Sequence, residues 1–154
     1  MNIFKNTHRY LLLILLIVLP CSLYARADQL VGIWLTKDGR SQIKIYKKND
    51  GKYYGKIAWI RDKEERDKKD KNNPDASLRS RNILGLEIIK EFEYNAGEKE
   101  WSGGKVYDPE SGNFYEAYMW FEEDNNTLYL KGYIMGMRWL GRKETWTREQ
   151  RIRK

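Results

Sequence analysis

Apolar and polar positions alternate with a period of two along most of this chain, in short runs separated by turn residues. That is the pattern of antiparallel sheet. Ile43-x-Ile45, the turn Asn49-Asp50-Gly51 and then Tyr53-x-Gly55-x-Ile57-x-Trp59 predict a hairpin. Leu86 to Tyr94 predicts the next strand, ended by Asn95-Ala96-Gly97. Glu100 to Tyr107 predicts another, and its paired glycines Gly103-Gly104 mark a bulge, a bend or a close backbone approach. Past the turn Asp108-Pro109-Glu110-Ser111-Gly112, the stretch Asn113 to Phe121 alternates Tyr115, Ala117, Met119 and Phe121 against Phe114, Glu116, Tyr118 and Trp120. Leu128-x-Leu130-x-Gly132-x-Ile134 and then Lys143 to Arg148 bring the count to about eight strands.

Two short motifs bracket this series, Gly32-Ile33-Trp34 near its start and Trp146-Thr147-Arg148 at its end. They suit a barrel whose first and last strands meet, with the Trp34 indole as a floor plug and the Arg148 guanidinium stacked on it. Trp34, Trp146 and Arg148 are therefore expected to serve structural closure. The predicted fold is all-β, an eight-stranded up-and-down antiparallel β-barrel. A smaller OB-like barrel is the alternative, disfavoured by the strand count. A barrel of eight strands is just wide enough to fill itself with side chains or to hold one small ligand.

The alternation lapses between about residues 61 and 84. Arg61 to Lys71 holds six basic and five acidic residues, so its net field is almost nil. It reads either as a solvated helix or as a flexible loop. Asn72-Asn73-Pro74-Asp75 is a turn, and Ser77 to Asn82 leads back toward the sheet. Connections this long in a compact domain are usually functional or disordered, which makes this stretch the candidate lid or rim of the barrel.

The first 27 residues have the build of a signal peptide. Lys5 and Arg9 form a positive start, Leu11 to Leu19 an apolar run, and Ala25-Arg26-Ala27 a cleavage site. Nine apolar residues are too few to span a bilayer core, which needs roughly 20. Residues 1–27 are thus expected to be cut away, leaving 28–154 as a single domain exported to the periplasm or beyond the cell. An uncleaved N-terminal anchor is the alternative. Cleavage removes three basic residues and no acidic ones, so the net charge falls from +7 to +4. That is weaker than a nucleic-acid binder's basic stripe.

Cleavage also removes Cys21 and His8, the sole cysteine and histidine. The mature chain then lacks the residues of a Ser-His-Asp or Cys-His nucleophile and of a thiolate or imidazole zinc site. No phosphate-binding glycine loop is present, and no cofactor or metal is implied. Asp75, Asp108, Glu110 and Glu116 are the carboxylates left for hydrolytic chemistry, and their spacing selects no pair.

Several motifs together carry a family resemblance. They are Gly32-x-Trp34, an Asn73-Pro74-Asp75 loop followed by Leu78-Arg79-x-Arg81 and Gly85, then Trp101-x-Gly103-Gly104-x-Val106-Tyr107-Asp108-Pro109-x-x-Gly112-x-x-Tyr115, Leu130-x-Gly132-Tyr133 and Trp146-x-Arg148. The chain resembles the bacterial domain of unknown function 2147 family. The resemblance implies export and a lipocalin-like, or calycin, barrel, and implies no chemistry.

Arg79 and Arg81, two apart, share a face in an extended segment. They either pair with carboxylates such as Asp75 or Asp108 to staple the loop, or grip an anionic head group at the barrel mouth. With Asn73, Asp75, Tyr107 and Tyr115 they form the candidate ligand-binding set. The leading expectation is an exported, non-catalytic binding protein for a small amphipathic or anionic molecule. The alternatives are an envelope-interaction protein with a filled barrel, whose basic tail (Arg148, Arg151, Arg153, Lys154) contacts the surface, and a carboxylate hydrolase.

Overall fold

A computed structural model describes residues 26–154. The export signal read at 1–27 therefore lies outside the described residues, save for Arg26 and Ala27. Among the described residues no helix is long and apolar enough to cross a membrane.

Nine strands follow in order: β1 (Gly32–Leu35), β2 (Ser41–Lys47), β3 (Tyr53–Ile60), β4 (Glu87–Asn95), β5 (Glu100–Ser102), β6 (Lys105–Asp108), β7 (Asn113–Phe121), β8 (Thr127–Tyr133) and β9 (Gly141–Glu149). All pairings are antiparallel. β5 and β6 share the same two neighbours, β4 and β7, so they are halves of one strand and the barrel has eight. The break falls at Gly103-Gly104. A Cβ on Gly104 would lie 2.4 Å from both the Lys90 carbonyl oxygen and the Phe92 ring, so the wall bends where only glycine lets it pass.

The ring is continuous and closes between its first and last strands. β3 pairs with β4, and β1 pairs with β9 in the register Ile33↔Glu149, Trp34↔Arg148, Leu35↔Thr147. Among the described residues no edge strand remains exposed, which removes the usual template for aggregation.

Alternation sorts the walls into an inner and an outer face. Ala117 and Met119 are buried and face in, while Tyr118 and Trp120 are half-exposed and face out. One half of the interior is packed solid by Trp34, Ile43, Ile45, Phe92, Trp101, Met119 and Leu128, all essentially without solvent exposure. A 3-10 turn at Asp28–Leu30 seals this end. Trp34 Nε1 donates to the Leu30 carbonyl at 3.0 Å, and Trp101 Nε1 to that of Ala27 at 3.0 Å.

Residues 61–86 form neither a free loop nor an α-helix. Two 3-10 turns, Lys63–Glu65 and Ala76–Leu78, and a bridge between Lys69 and Asn82 organise the segment. Asp62 and Asp75 cap the turns by accepting from Glu64 N and Ser77 N. The alternation in charge hid this, because turns of three residues leave no periodic trace.

The C-terminal residues 150–154 are strapped to β2 and β3. Buried Gln42 donates to the Arg151 carbonyl and to Glu149, and accepts from Arg153 N at 2.8 Å. Trp59 Nε1 donates to the Lys154 carbonyl at 3.1 Å.

Candidate functional site

Exposure of inward-facing residues differs sharply between the two ends of the barrel. At the plugged end they are fully covered. At the other end Val106, Tyr115, Gly132 and Glu144 are half-exposed and Arg142 is exposed. These half-exposed inward positions lie at the end carrying the connections 36–40, 61–86, 109–112 and 134–140.

Strand register places the lining of this cup. Val106 pairs with Tyr115, Ala117 with Gly132, Gly132 with Arg142, and Leu130 with Glu144. Directly paired residues share a face, so these side chains line one contiguous strip of inner wall. Ala117 and Gly132 sit opposite each other, and a Cβ built on Gly132 would touch only Tyr115 Cβ, at 3.7 Å. Small residues stand at this level, where bulkier ones occupy the plugged half.

Along β9 the inward positions run Arg142, Glu144, Trp146, Arg148 from the open end to the floor. Arg142 Nε lies 3.5 Å from Glu144 Oε1 near the rim. Trp146, 3% exposed, is one inward step deeper, and its Nε1–H is buried without an acceptor. At the floor the Arg148 guanidinium lies 4.2 Å from the centre of the Trp34 ring. It donates to the carbonyls of Val31 (3.0 Å), Asn125 (2.8 Å) and Gln29. Burial holds the Arg148 pKa below its ordinary value.

The candidate set from sequence divides between the two faces. Tyr107 pairs with Phe114 and Val106 with Tyr115, so Tyr107 points outward and Tyr115 inward. Outside the wall, Tyr107 gathers Asn73, Arg79 and Arg81 around Asp70, a residue that sequence reasoning left within the solvated charge run. Asp70 is fully buried. It accepts from Tyr107 OH at 2.5 Å, Asn73 Nδ2 at 2.8 Å, and Arg81 Nε and Nη2 at 3.0 and 2.9 Å. Arg79 Nε donates to the Asn73 carbonyl at 2.7 Å. The arginine partner is thus Asp70, rather than Asp75 or Asp108, and the cluster ties the long segment to the outside of β6.

Burial alone would raise the Asp70 carboxyl, but the hydrogen bonds from Tyr107, Arg81 and Asn73 outweigh it and hold it below its ordinary 3.8. Burial, then the bond to Asp70, pushes the Tyr107 hydroxyl up to about 12. Asn72 adds a bond from Nδ2 to the Glu110 carbonyl at 2.7 Å, against the turn that begins β7.

The other carboxylates serve local geometry. Asp75 caps its turn, Asp108 accepts from Glu110 N and Ser111 Oγ, and Glu116 accepts from Gly136 N. Among the described residues no group of three or more acidic, histidine or cysteine side chains is arranged to hold a metal. The inner lining residues Gly132, Arg142 and Glu144 were missed by sequence reading. Their signal was the two-residue spacing back from Trp146 and Arg148, which fixes one face of the last strand.

Comparison with known proteins agrees with this architecture. A family model described as "Uncharacterized protein conserved in bacteria (DUF2147)" matches residues 32–148. No curated protein matches the chain. Among solved structures it is similar to protein HP1028 from the human pathogen Helicobacter pylori, described as belonging to the lipocalin family. That likeness has 26% identity, a TM-score of 0.69, and covers 79% of this chain and 83% of the other.

Proposed function

This chain belongs to the uncharacterised bacterial family DUF2147, and from that premise we propose that it is an exported, non-catalytic carrier that holds one small amphipathic molecule in the open half of its barrel. The observation behind this reading is the contrast between the two halves of the interior. Bulky side chains close the floor, while small Ala117 and Gly132 stand at the other end beside half-exposed Val106, Tyr115 and Glu144. Lipocalin-like barrels of this size take a ligand at the open end, and Tyr115, Arg142 and Glu144 would give polar contacts at the rim. Arg79 and Arg81 are committed to Asn73 and Asp70 outside the wall, so neither takes the part of an anionic grip at the mouth. Export to the periplasm or medium follows from the signal-like residues 1–27.

Native mass spectrometry of the protein purified from its own host tests the reading. The expected result is a mass increment that persists under gentle conditions and is lost in Gly132→Val, which fills the cup. A bare apo mass in both proteins would overturn it.

A second reading, surface contact with another envelope component, is favoured by the connection between β8 and β9. There Met135 and Trp139 are 81% and 77% exposed, beside exposed Ile134 and Leu140. Mixed Met135→Ser and Trp139→Ser substitution would abolish such contact and leave the bound mass unchanged.

A further inference from the structure

We infer that the envelope component contacted through the connection between β8 and β9 is a lipid surface with anionic head groups, and that the barrel stands on it with Trp139 and Met135 seated among those head groups. This rests on the surface-contact reading above and names the chemistry of its partner.

Exposed apolar side chains are concentrated at one end of the cylinder. Nine large ones are exposed among the described residues, and six of them lie in the connections 61–86 and 134–140. A seventh, Phe114, stands at the start of β7 beside the connection 109–112. The floor has Val31 alone. Met135 and Trp139 are the most exposed of the nine. Apolar side chains gathered in this way mark an interaction site, and tryptophan is favoured where an apolar medium meets water.

The connection is built to keep them outside. Gly136 N donates to Glu116 Oε2 at 3.0 Å. Arg138 reaches Glu100 Oε2 at 2.6 Å, with its guanidinium 3.8 Å from the centre of the Tyr118 ring. These bonds pin the loop to the outer wall by its polar groups. Met135 keeps a left-handed backbone, φ 52°, which a residue with a side chain adopts only at a cost. Within the loop Met137 N donates to the Ile134 carbonyl at 3.0 Å, Arg138 N to that of Gly136 at 3.1 Å and Leu140 N to that of Met137 at 2.9 Å. Peptide groups that satisfy one another suit a segment entering a medium poor in water, where an unpaired N–H is costly. A protein partner would bring acceptors of its own and make no such demand.

Charge selects the head groups. The four connections at this end, together with residues 150–154, hold fourteen basic and eight acidic side chains. Residues 150–154 belong with them because the Lys154 carbonyl accepts from Arg66 Nη2 at 3.3 Å. At the floor, residues 28–31, 48–52, 96–99 and 122–126 hold three basic and six acidic side chains. A nine-residue strand is about 30 Å long, so even a tilted wall holds the two ends more than two screening lengths of about 8 Å apart. An anionic surface therefore attracts one end and repels the other. Arg142, exposed just past Trp139 and Leu140, sets a cation beside the apolar group. A bilayer met in this way faces the end where Val106, Tyr115 and Glu144 are half-exposed.

The test uses the protein as its host exports it, with vesicles of phosphatidylcholine alone, of phosphatidylcholine mixed with phosphatidylglycerol, and of the same mixture brominated in its acyl chains. The expected outcome is that the protein sediments with the mixture at least about tenfold more strongly than with phosphatidylcholine, and that bromine quenches its tryptophan emission. Met135→Ser combined with Trp139→Ser lowers binding to the mixture by about tenfold or more. Trp139→Phe keeps the binding and loses the quenching, and Arg142→Glu narrows the preference for the mixture. Equal binding to both lipids, or quenching that survives in Trp139→Phe, overturns the inference. A benzophenone label on Met135→Cys separates the remaining cases. Without vesicle binding, an adduct at that residue to a second copy of this chain, an envelope protein or a polymer overturns the inference alone. Neither vesicle binding nor an adduct overturns the surface-contact reading and the inference with it.

Discussion

The guanidinium of Arg148 lies over the indole of Trp34, 4.2 Å from the ring centre, and its hydrogen bonds go to backbone carbonyls in place of any carboxylate. Its charge is balanced by ring quadrupole and peptide dipoles at the floor, where an isolated cation would be costly. Truncating the plug, Trp34→Ala, is expected to cost about 3–5 kcal/mol of stability. Arg148→Lys keeps the charge but loses the planar fork, and about 1–3 kcal/mol with it. Urea denaturation of both variants measures these costs, and a wild-type midpoint in Trp34→Ala would show that the plug carries no weight.

Gly32 is tied to the same contact. A Cβ there would stand 2.5 Å from Arg148 Nη1, which its carbonyl partners hold in place. Gly32→Ala is expected to destabilise by about 1–3 kcal/mol, as overpacking does. The double variant Gly32→Ala with Arg148→Ala should cost less than the two single losses added together, which a double-mutant cycle reads directly.

Outside the wall, Asp70 fixes the long segment. Its carboxyl titrates below the ordinary 3.8, so the bound form is the ionised one. The stabilisation is complete above the unfolded-state pKa and is lost as pH falls through the lower folded-state value. Residues 61–83 should therefore loosen below about pH 4. Hydrogen exchange at graded pH should show protection around Asn73 and Arg81 falling in that window. In Asp70→Asn the same segment should be loose at neutral pH, because Arg81 is left without its counter-charge.

The C-terminal strap answers to Gln42, whose amide both donates and accepts. Gln42→Leu leaves the Arg153 N–H and the Arg151 carbonyl without partners, at an expected cost of about 1–3 kcal/mol. Once the strap lifts, Trp59 loses its Lys154 acceptor, and tryptophan emission should shift to the red.

The fold was legible because its determinants are local. Period-two alternation, the Asn49-Asp50-Gly51 turn and the paired glycines each act within a few residues, and the Gly-x-Trp and Trp-x-Arg ends announced the seam. The candidate site was less so. Whether Tyr107 and Tyr115 share a face depends on the register of β6 against β7, and no single residue encodes that register. Asp70 sat in a run whose charges nearly cancel, and its partners come from residues 73, 81 and 107. Burial of one carboxylate among five is a tertiary event. Trp146 was read as part of the closure; its indole nitrogen lacks the carbonyl acceptor that Trp34 has.

One more property follows from the seam between β1 and β9. The Val31 carbonyl and the Arg148 guanidinium that holds it are 117 residues apart. A chain emerging from a ribosome cannot complete its cylinder until Arg148 is free. The nascent polypeptide must therefore wait in an unfinished state, and its folding should be slow for its size, with β9 as the timing element.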